Sequence, residues 1–174
     1  MKNLVLVGFM GSGKTTIGRL TAVELGMQFM DMDRRIEERE GMSIPDIFAQ
    51  RGESAFRDIE EEVVKELAAR HDLVIATGGG VVLRPANVEI LAHGGVVVHL
   101  RVDVETVLAR TRGHTHRPLL QGEDLSTRAR ALLKERRPLY EAIPLSVESA
   151  GRSSEAVAHD VVAIYRAQEK QASS

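Results

Sequence analysis

Residues Gly8-Phe9-Met10-Gly11-Ser12-Gly13-Lys14-Thr15 fit the spacing G-x-x-x-x-G-K-[ST]. What constrains the fold is the context of this octapeptide. Leu4-Val5-Leu6-Val7 precedes it, a short apolar run with strand character. After it, Ile17, Leu20, Ala22 and Leu25 give a helical pattern, and Gly26 supplies a stop. A strand that enters a glycine-rich turn and leaves it as a helix is a phosphate-binding P-loop. Gly8, Gly11 and Gly13 keep side chains from between the backbone N–H groups and an anion. The helix start adds its own unpaired N–H groups and its positive dipole end. Lys14 is placed to reach β- and γ-phosphates, and the Thr15 hydroxyl suits Mg²⁺. Gly11, Ser12, Gly13, Lys14, Thr15 and Thr16 are the expected nucleotide contacts.

The rest of the chain alternates. Residues 27–30 read as a second strand ending in Asp31-Met32-Asp33, and 34–40 as a charged helix stopped by Gly41. Ser43 suits the N-cap of a further helix, which Gly52 interrupts. Phe56, Ile59, Val63 and Leu67 are the core stripe of a long helix over 54–70. Strands are expected over 73–76, 96–100 and 145–147, and helices over 86–92, 104–110, 125–137 and 155–168, with Pro138 ending the third of these helices. Residues 168–174 read as a frayed tail. Such alternation predicts an α/β sandwich with a largely parallel sheet, here as one domain over 1–174. Ligands of these sheets bind beyond the carboxyl ends of the strands. The P-loop, the Asp31/Asp33 pair and Gly78-Gly79-Gly80 therefore fall on one rim.

Composition removes several classes. A formal net charge of -2 gives no drive toward nucleic acid or membrane. No apolar run spans a bilayer, and the apolar 4–10 segment leads straight into the P-loop, so it reads as a strand and not as a signal peptide. With no Cys, disulfides and Cys-ligated metals are excluded, and a cytoplasmic protein is expected. A guanine-nucleotide switch lacks support, since neither N-K-x-D nor D-x-x-G follows the P-loop.

Beside the P-loop stand candidate acceptor-side residues. Asp31 and Asp33, two apart in an extended segment, would face one cavity, one for Mg²⁺ and one to take a hydroxyl proton. The plainer alternative is a helix cap. Arg57, with Glu60 and Glu61 three and four residues on, is a held guanidinium suited to a carboxylate. Gly78-Gly79-Gly80 leaves bare backbone for a ligand, or makes a flexible turn. Residues 112–124 lack periodicity and read as a mobile lid with Arg117 as a phosphate clamp. His114 and His116 within it are too few for a metal site. Arg128, Arg130, Lys134, Arg136 and Arg137 make a basic helix; with only 3% aromatics in the chain, a solvated face with one or two inward arginines suits it better than nucleic-acid binding.

Taken in this order and spacing, the motifs resemble those of shikimate kinases along essentially the whole chain. They are the P-loop, Asp31-Met32-Asp33, Phe56-Arg57 with Glu60-Glu61, Gly78-Gly79-Gly80, Arg117-Pro118-Leu119-Leu120 and Arg136-Arg137-Pro138-Leu139-Tyr140. The resemblance implies a nucleoside-monophosphate-kinase-like α/β/α sandwich with a five-stranded parallel sheet and a lid. It implies transfer of the ATP γ-phosphoryl group to the shikimate 3-hydroxyl, with no nucleic-acid or membrane partner and a monomeric enzyme. Asp33 would be the base and bind shikimate hydroxyls. Arg57 and Arg136 would bind the carboxylate, with backbone from Gly78, Gly79 and Gly80. Lys14 and Arg117 would attend the phosphates, Thr15 and Asp31 the Mg²⁺, and Glu60 would orient Arg57. The loop Glu148-Ser149-Ala150-Gly151-Arg152-Ser153-Ser154 departs from the family's basic, Asn- or Pro-containing adenine loop. Arg152 and Arg110 are the expected nucleotide contacts there. A gluconate or nucleoside-monophosphate kinase is the nearest alternative.

Overall fold

The computed structural model describes residues 1–111 and 125–172. Five strands, β1 (Asn3–Val7), β2 (Gln28–Asp31), β3 (Leu73–Ala76), β4 (Gly95–Arg101) and β5 (Leu145–Glu148), form one sheet of order β2-β3-β1-β4-β5. Every neighbouring pair is parallel. The helices are α1 (Lys14–Leu25), α2 (Met32–Glu40), α3 (Ile44–Ala68), α4 (Pro85–Gly94), α5 (Val104–Thr111), α6 (Leu125–Glu141) and α7 (Ser154–Ala172), with a 3₁₀ turn at Val81–Leu83. The expected five-stranded α/β/α arrangement is what the chain adopts.

The central strand shows why. Every residue of β1 is buried. Val5 and Val7 pack with Phe56, Val63, Leu133 and Tyr140 on one face; Leu4 and Leu6 pack with Ile17, Val157 and Val161 on the other. A strand covered on both faces has no solvent side to encode, so it reads as a continuous apolar run. The crossover from β3 to β4 passes over β1, so the P-loop leaves the sheet where strand order switches, a natural ligand site.

Asn3 fastens this strand to its surroundings. Its buried side-chain amide donates to the carbonyls of Leu67 (3.2 Å) and Arg70 (2.7 Å), and its carbonyl accepts from the Leu73 N–H (3.0 Å). One side chain thus closes the open end of α3 and starts β3.

One helix expectation needs correction. Pro138 does not end α6, which runs on to Glu141. A proline inside a helix forfeits one hydrogen bond and costs on the order of 3 kcal/mol. The turn beyond it is held instead by tertiary contacts, since Tyr140 is buried and its hydroxyl donates to the Gly79 carbonyl. Ala142 N–H also closes onto the Pro138 carbonyl at 3.1 Å. Gly52 does interrupt the helical run over Ile44–Ala68, as expected, and divides it into two segments across a kink. Gly52 sits at its kink with φ 82° and ψ 172°, a conformation that excludes a side chain at little cost only for glycine. The kink brings Phe48 over Phe56, with ring centroids 4.7 Å apart.

Asn3→Ala would leave the buried Leu73 N–H and the Arg70 carbonyl without their side-chain partner, while the Leu67 carbonyl keeps the Arg70 N–H, at about 1–3 kcal/mol per group not rescued by water. We expect the melting temperature to fall by several degrees while the KM values of the active protein stay unchanged. Thermal denaturation alongside steady-state kinetics checks this.

Candidate active site

Gly13, with φ 95°, caps α1, so Lys14, Thr15 and Thr16 form its first turn. The Lys14 ammonium folds back over the loop, 2.6 Å from the Gly8 carbonyl, 3.0 Å from that of Phe9 and 3.4 Å from Ser12 Oγ. Ser12 is buried beneath it, and Thr15 and Thr16 are exposed. Arg110 braces the loop from outside, donating to the Gly11 carbonyl and to the Ser149 carbonyl, both at 3.0 Å. It therefore ties the P-loop to the segment after β5. Arg152 turns elsewhere, to the Glu148 carbonyl (3.1 Å) and the Asp160 carboxylate (2.7 Å) on α7.

Asp31 and Asp33 are not side by side on an extended segment. The strand ends at Asp31, which is the N-cap of α2, and Asp33 lies in the first helical turn. Asp31 Oδ1 accepts the Asp33 and Arg34 N–H groups at 3.1 and 3.3 Å. Its other oxygen accepts the Thr15 hydroxyl at 2.9 Å. One carboxylate is thus the helix cap of the plainer alternative and also the acceptor of the Thr15 hydroxyl. These two adjacent hard oxygens suit Mg²⁺. Among the described residues no group of three or more His, Cys, Asp or Glu gathers as a metal centre.

The acceptor side is built over the three glycines. A side chain at Gly78 would come within 2.8 Å of Asp33 Oδ1 and 3.1 Å of Glu60 Oε1; one at Gly80 would meet the Arg57 guanidinium at 2.4 Å. The Gly79 carbonyl accepts from Tyr140 Oη and from Arg136 at 3.4 Å. The bare backbone is therefore a floor on which Asp33, Glu60, Arg57, Arg136 and Tyr140 converge.

Arg57 is buried and held at 3.1 Å by both Glu60 and Glu53. Glu61, expected as a partner, pairs instead with Lys65 and Arg84. Arg84 also donates to the Arg57 carbonyl (3.1 Å), pinning the helix beneath the guanidinium. Burial holds the Glu60 carboxyl above its usual range, although Arg57 beside it pulls the other way. Of the basic residues on α6, Arg136 is turned inward, while Arg128, Arg130, Lys134 and Arg137 are exposed. Nε of both Arg57 and Arg136, and Oε1 of Glu60, are buried without a hydrogen-bond partner. Two buried guanidiniums with donor capacity left over on one glycine turn are suited to an anion. Arg117, His114, His116 and the whole 112–124 lid lie outside the described residues.

Reading from sequence missed three contributors: Glu53, Tyr140 and His99. Tyr140 could have been found from its place four residues after Arg136, on the same helix face. His99 stacks on Tyr140, centroids 5.2 Å apart and planes 15° apart. Burial, aided by Arg101 and Lys14 and opposed by Glu148, pushes its pKa down to about 4.

The chain matches the shikimate kinase family over residues 10–166. It belongs to that family. A shikimate kinase of Thermodesulfovibrio yellowstonii is 46% identical over 165 residues, 95% of each chain. One from Halorhodospira halophila is 48% identical over 160 residues, 91% of this chain and 90% of its own. The solved shikimate kinase of Acinetobacter baumannii in complex with shikimate superimposes with a TM-score of 0.92 at 41% identity, covering 97% of this chain and 94% of that one. A gluconokinase of Sinorhizobium meliloti, 18% identical with a TM-score of 0.57 over 98% and 97% of the two chains, shares the fold alone.

Two outcomes are expected. In Gly80→Ala the new methyl overlaps the Arg57 guanidinium, which must leave its place between Glu60 and Glu53, so acceptor binding suffers and some stability is lost with it. Acceptor KM should rise about tenfold or more, with ATP KM nearly unchanged. His99 is neutral in the fold and titrates near 6.5 when unfolded, so the unfolded chain binds the extra proton. Its contribution is present above pH 6.5 and lost as pH falls toward 4. His99→Phe, which keeps a stacking ring, should lose less melting temperature than wild type between pH 7.5 and 4.5; parallel losses would exclude this.

Proposed function

We propose that the chain transfers the γ-phosphoryl group of ATP to the 3-hydroxyl of shikimate, giving shikimate 3-phosphate and ADP. The observation that carries this reading is the pair of buried, incompletely paired arginines, Arg57 and Arg136, beside a carboxylate on the same rim as a P-loop. A phosphate-binding loop alone would fit any nucleotide protein. A carboxylate-gripping acceptor site turns it into the donor half of a small-molecule kinase, and family membership supports shikimate as the acid.

On this reading the P-loop N–H groups from Gly11 to Thr16 and the Lys14 ammonium hold the β- and γ-phosphates. Lys14 exchanges its carbonyl partners for phosphate oxygens without leaving the loop. Arg110 and Arg152 serve the nucleotide from the 148–154 side, Arg110 by bracing the loop. Thr15 and Asp31 would hold Mg²⁺, which when bound neutralises charge on the phosphates. Arg57 and Arg136, with the Gly78–Gly80 backbone, fix the shikimate carboxylate. Asp33 aims the 3-hydroxyl in line with the γ-phosphorus. Transfer is loose, so the O–P bond to ADP is largely broken before the new one forms, and the hydroxyl proton passes to Asp33 late. Arg117 closes over the phosphates as a clamp. Donor loop, metal-side oxygens and acceptor arginines all come from one chain, so a monomer suffices.

ADP release measured with shikimate, gluconate and AMP in turn tests the reading. Shikimate alone should stimulate it, and stimulation by gluconate or AMP instead would overturn it. Asp33→Asn should lower kcat by about 10²-fold or more, with nucleotide affinity and melting temperature preserved. Wild-type turnover in that variant would remove Asp33 from the reaction.

A further inference from the structure

The three glycines form a tight turn. Val81 N–H closes onto the Gly78 carbonyl at 3.2 Å, and Gly80 sits at φ -97°, ψ 2°. Those angles are those of the third residue of a type I turn. A type II turn has the same ends but its central peptide is turned over by about half a revolution, with the third residue at positive φ. For most sequences that form is strained. For Gly79-Gly80 it is not, because glycine enters positive φ freely. This turn therefore has two accessible orientations of one peptide, and something outside it must choose.

The peptide has two polar ends. In the observed orientation the Gly79 carbonyl points to α6, where Tyr140 and Arg136 donate to it. At the other end the Gly80 N–H, which turns over with that carbonyl, makes no hydrogen bond among the described residues. In the flipped orientation the carbonyl would leave α6 and point the other way, and a carbonyl oxygen repels an anion where an N–H group attracts it. The choice thus bears directly on carboxylate binding.

Tyr140 is built to make that choice. It is buried, its ring is fixed by the His99 stack, and its neighbours Ala142 and Ile143 close the helix end onto Pro138 and Tyr140 carbonyls at 3.1 Å. Burial pushes its hydroxyl up to about 12, with Arg136 pulling the other way, so it stays a proton donor through the physiological range. Arg136 reaches the same carbonyl only at 3.4 Å, a weaker grip that leaves its guanidinium available to an acceptor.

We propose that Tyr140 is a positioning residue that latches the Gly79–Gly80 peptide in its type I orientation, so that the Gly80 N–H and not the Gly79 carbonyl is offered to the acceptor's carboxylate. It touches neither acceptor nor nucleotide; it acts through the glycine turn. The assignment of the carboxylate rests on the function proposed above, whereas the latch itself does not.

Tyr140→Phe removes the hydroxyl and keeps the ring and its stack. We expect KM for shikimate to rise about three- to tenfold, with KM for ATP within about twofold of wild type and kcat falling less than the acceptor KM rises. A lowered melting temperature with an unchanged shikimate KM would mean a merely structural tyrosine and overturn the proposal. Amide hydrogen exchange over residues 77–83 is measured in parallel, without any ligand. It should quicken in Tyr140→Phe relative to β3, and unaltered exchange would equally overturn the latch. Wild-type activity toward shikimate tests the function separately, so a wild type inactive with shikimate but with a latch-dependent exchange difference would sink the function and spare the latch.

Discussion

The close approach at Gly78-Gly79-Gly80 is the constraint on which the acceptor side depends. Asp33 and Glu60 lean over the first glycine, Arg136 and Tyr140 hold the carbonyl of the second, and Arg57 lies against the third. These side chains arrive from α2, α3 and α6, three elements that share no local sequence. They meet because β3 ends where β1 also ends, and the turn continuing β3 has no side chains to keep them apart. The glycines serve less as a flexible hinge than as a surface of minimum thickness. Remove that thinness and Arg57 must move before anything else does.

The donor side depends on a different economy of contacts. Asp31 closes the start of α2 and takes the Thr15 hydroxyl from α1, joining two helices at one carboxylate. Arg110 joins the loop between β1 and α1 to the segment after β5. The P-loop is therefore braced from both flanks of the central strand. Little reorganisation is left for a phosphate to demand, which is the condition under which fixed dipoles stabilise a transferring group best.

How much of this was legible follows from where the information lies. The parallel sheet was legible because its inner strands β1, β3 and β4 are buried on both faces, and Val96-Val97-Val98 admits no other simple account. The P-loop was legible because loop, strand and helix are contiguous. Arg57, Asp33 and Arg136 were named from motif and resemblance. Their supports were less visible. Glu53 and Glu61 flank Arg57 at equal helical distance, and Glu61 is taken by Lys65 on its own helix and by Arg84, drawn in from the start of α4. Pro138 carries a strong local signal to stop, and a buried aromatic contact outweighs it. Asp33 was placed by spacing on a strand that ends two residues earlier. At Glu61 and Pro138 a contact from an element distant in sequence takes part in the outcome, whereas Asp33 is set by the local Asp31 cap.

The buried Arg57–Glu60 pair is poor evidence for stability, since desolvating two charges offsets most of their attraction. Its meaning is better sought in what it leaves undone. Arg57 Nε, Arg136 Nε and Glu60 Oε1 are all buried and unpartnered. A neutral polyol entering the proposed site would leave the two arginine donors beside desolvated positive charge, whereas a carboxylate would satisfy those two. Sites that hold unpaired buried donors reject ligands lacking the matching group by large factors, because the rejected ligand leaves the penalty in place. That argument selects acids over neutral polyols but does not separate one hydroxy acid from another. Separation must come from rigidity. Asp33 and the two arginines rest on consecutive residues of one turn, so the hydroxyl and the carboxylate of an acceptor must lie a fixed, short span apart. A ring holds such a span without cost, while an open chain loses conformational entropy to adopt it. Under the proposed assignment, preference for a cyclic acid over a linear one is thus a consequence of three adjacent glycines.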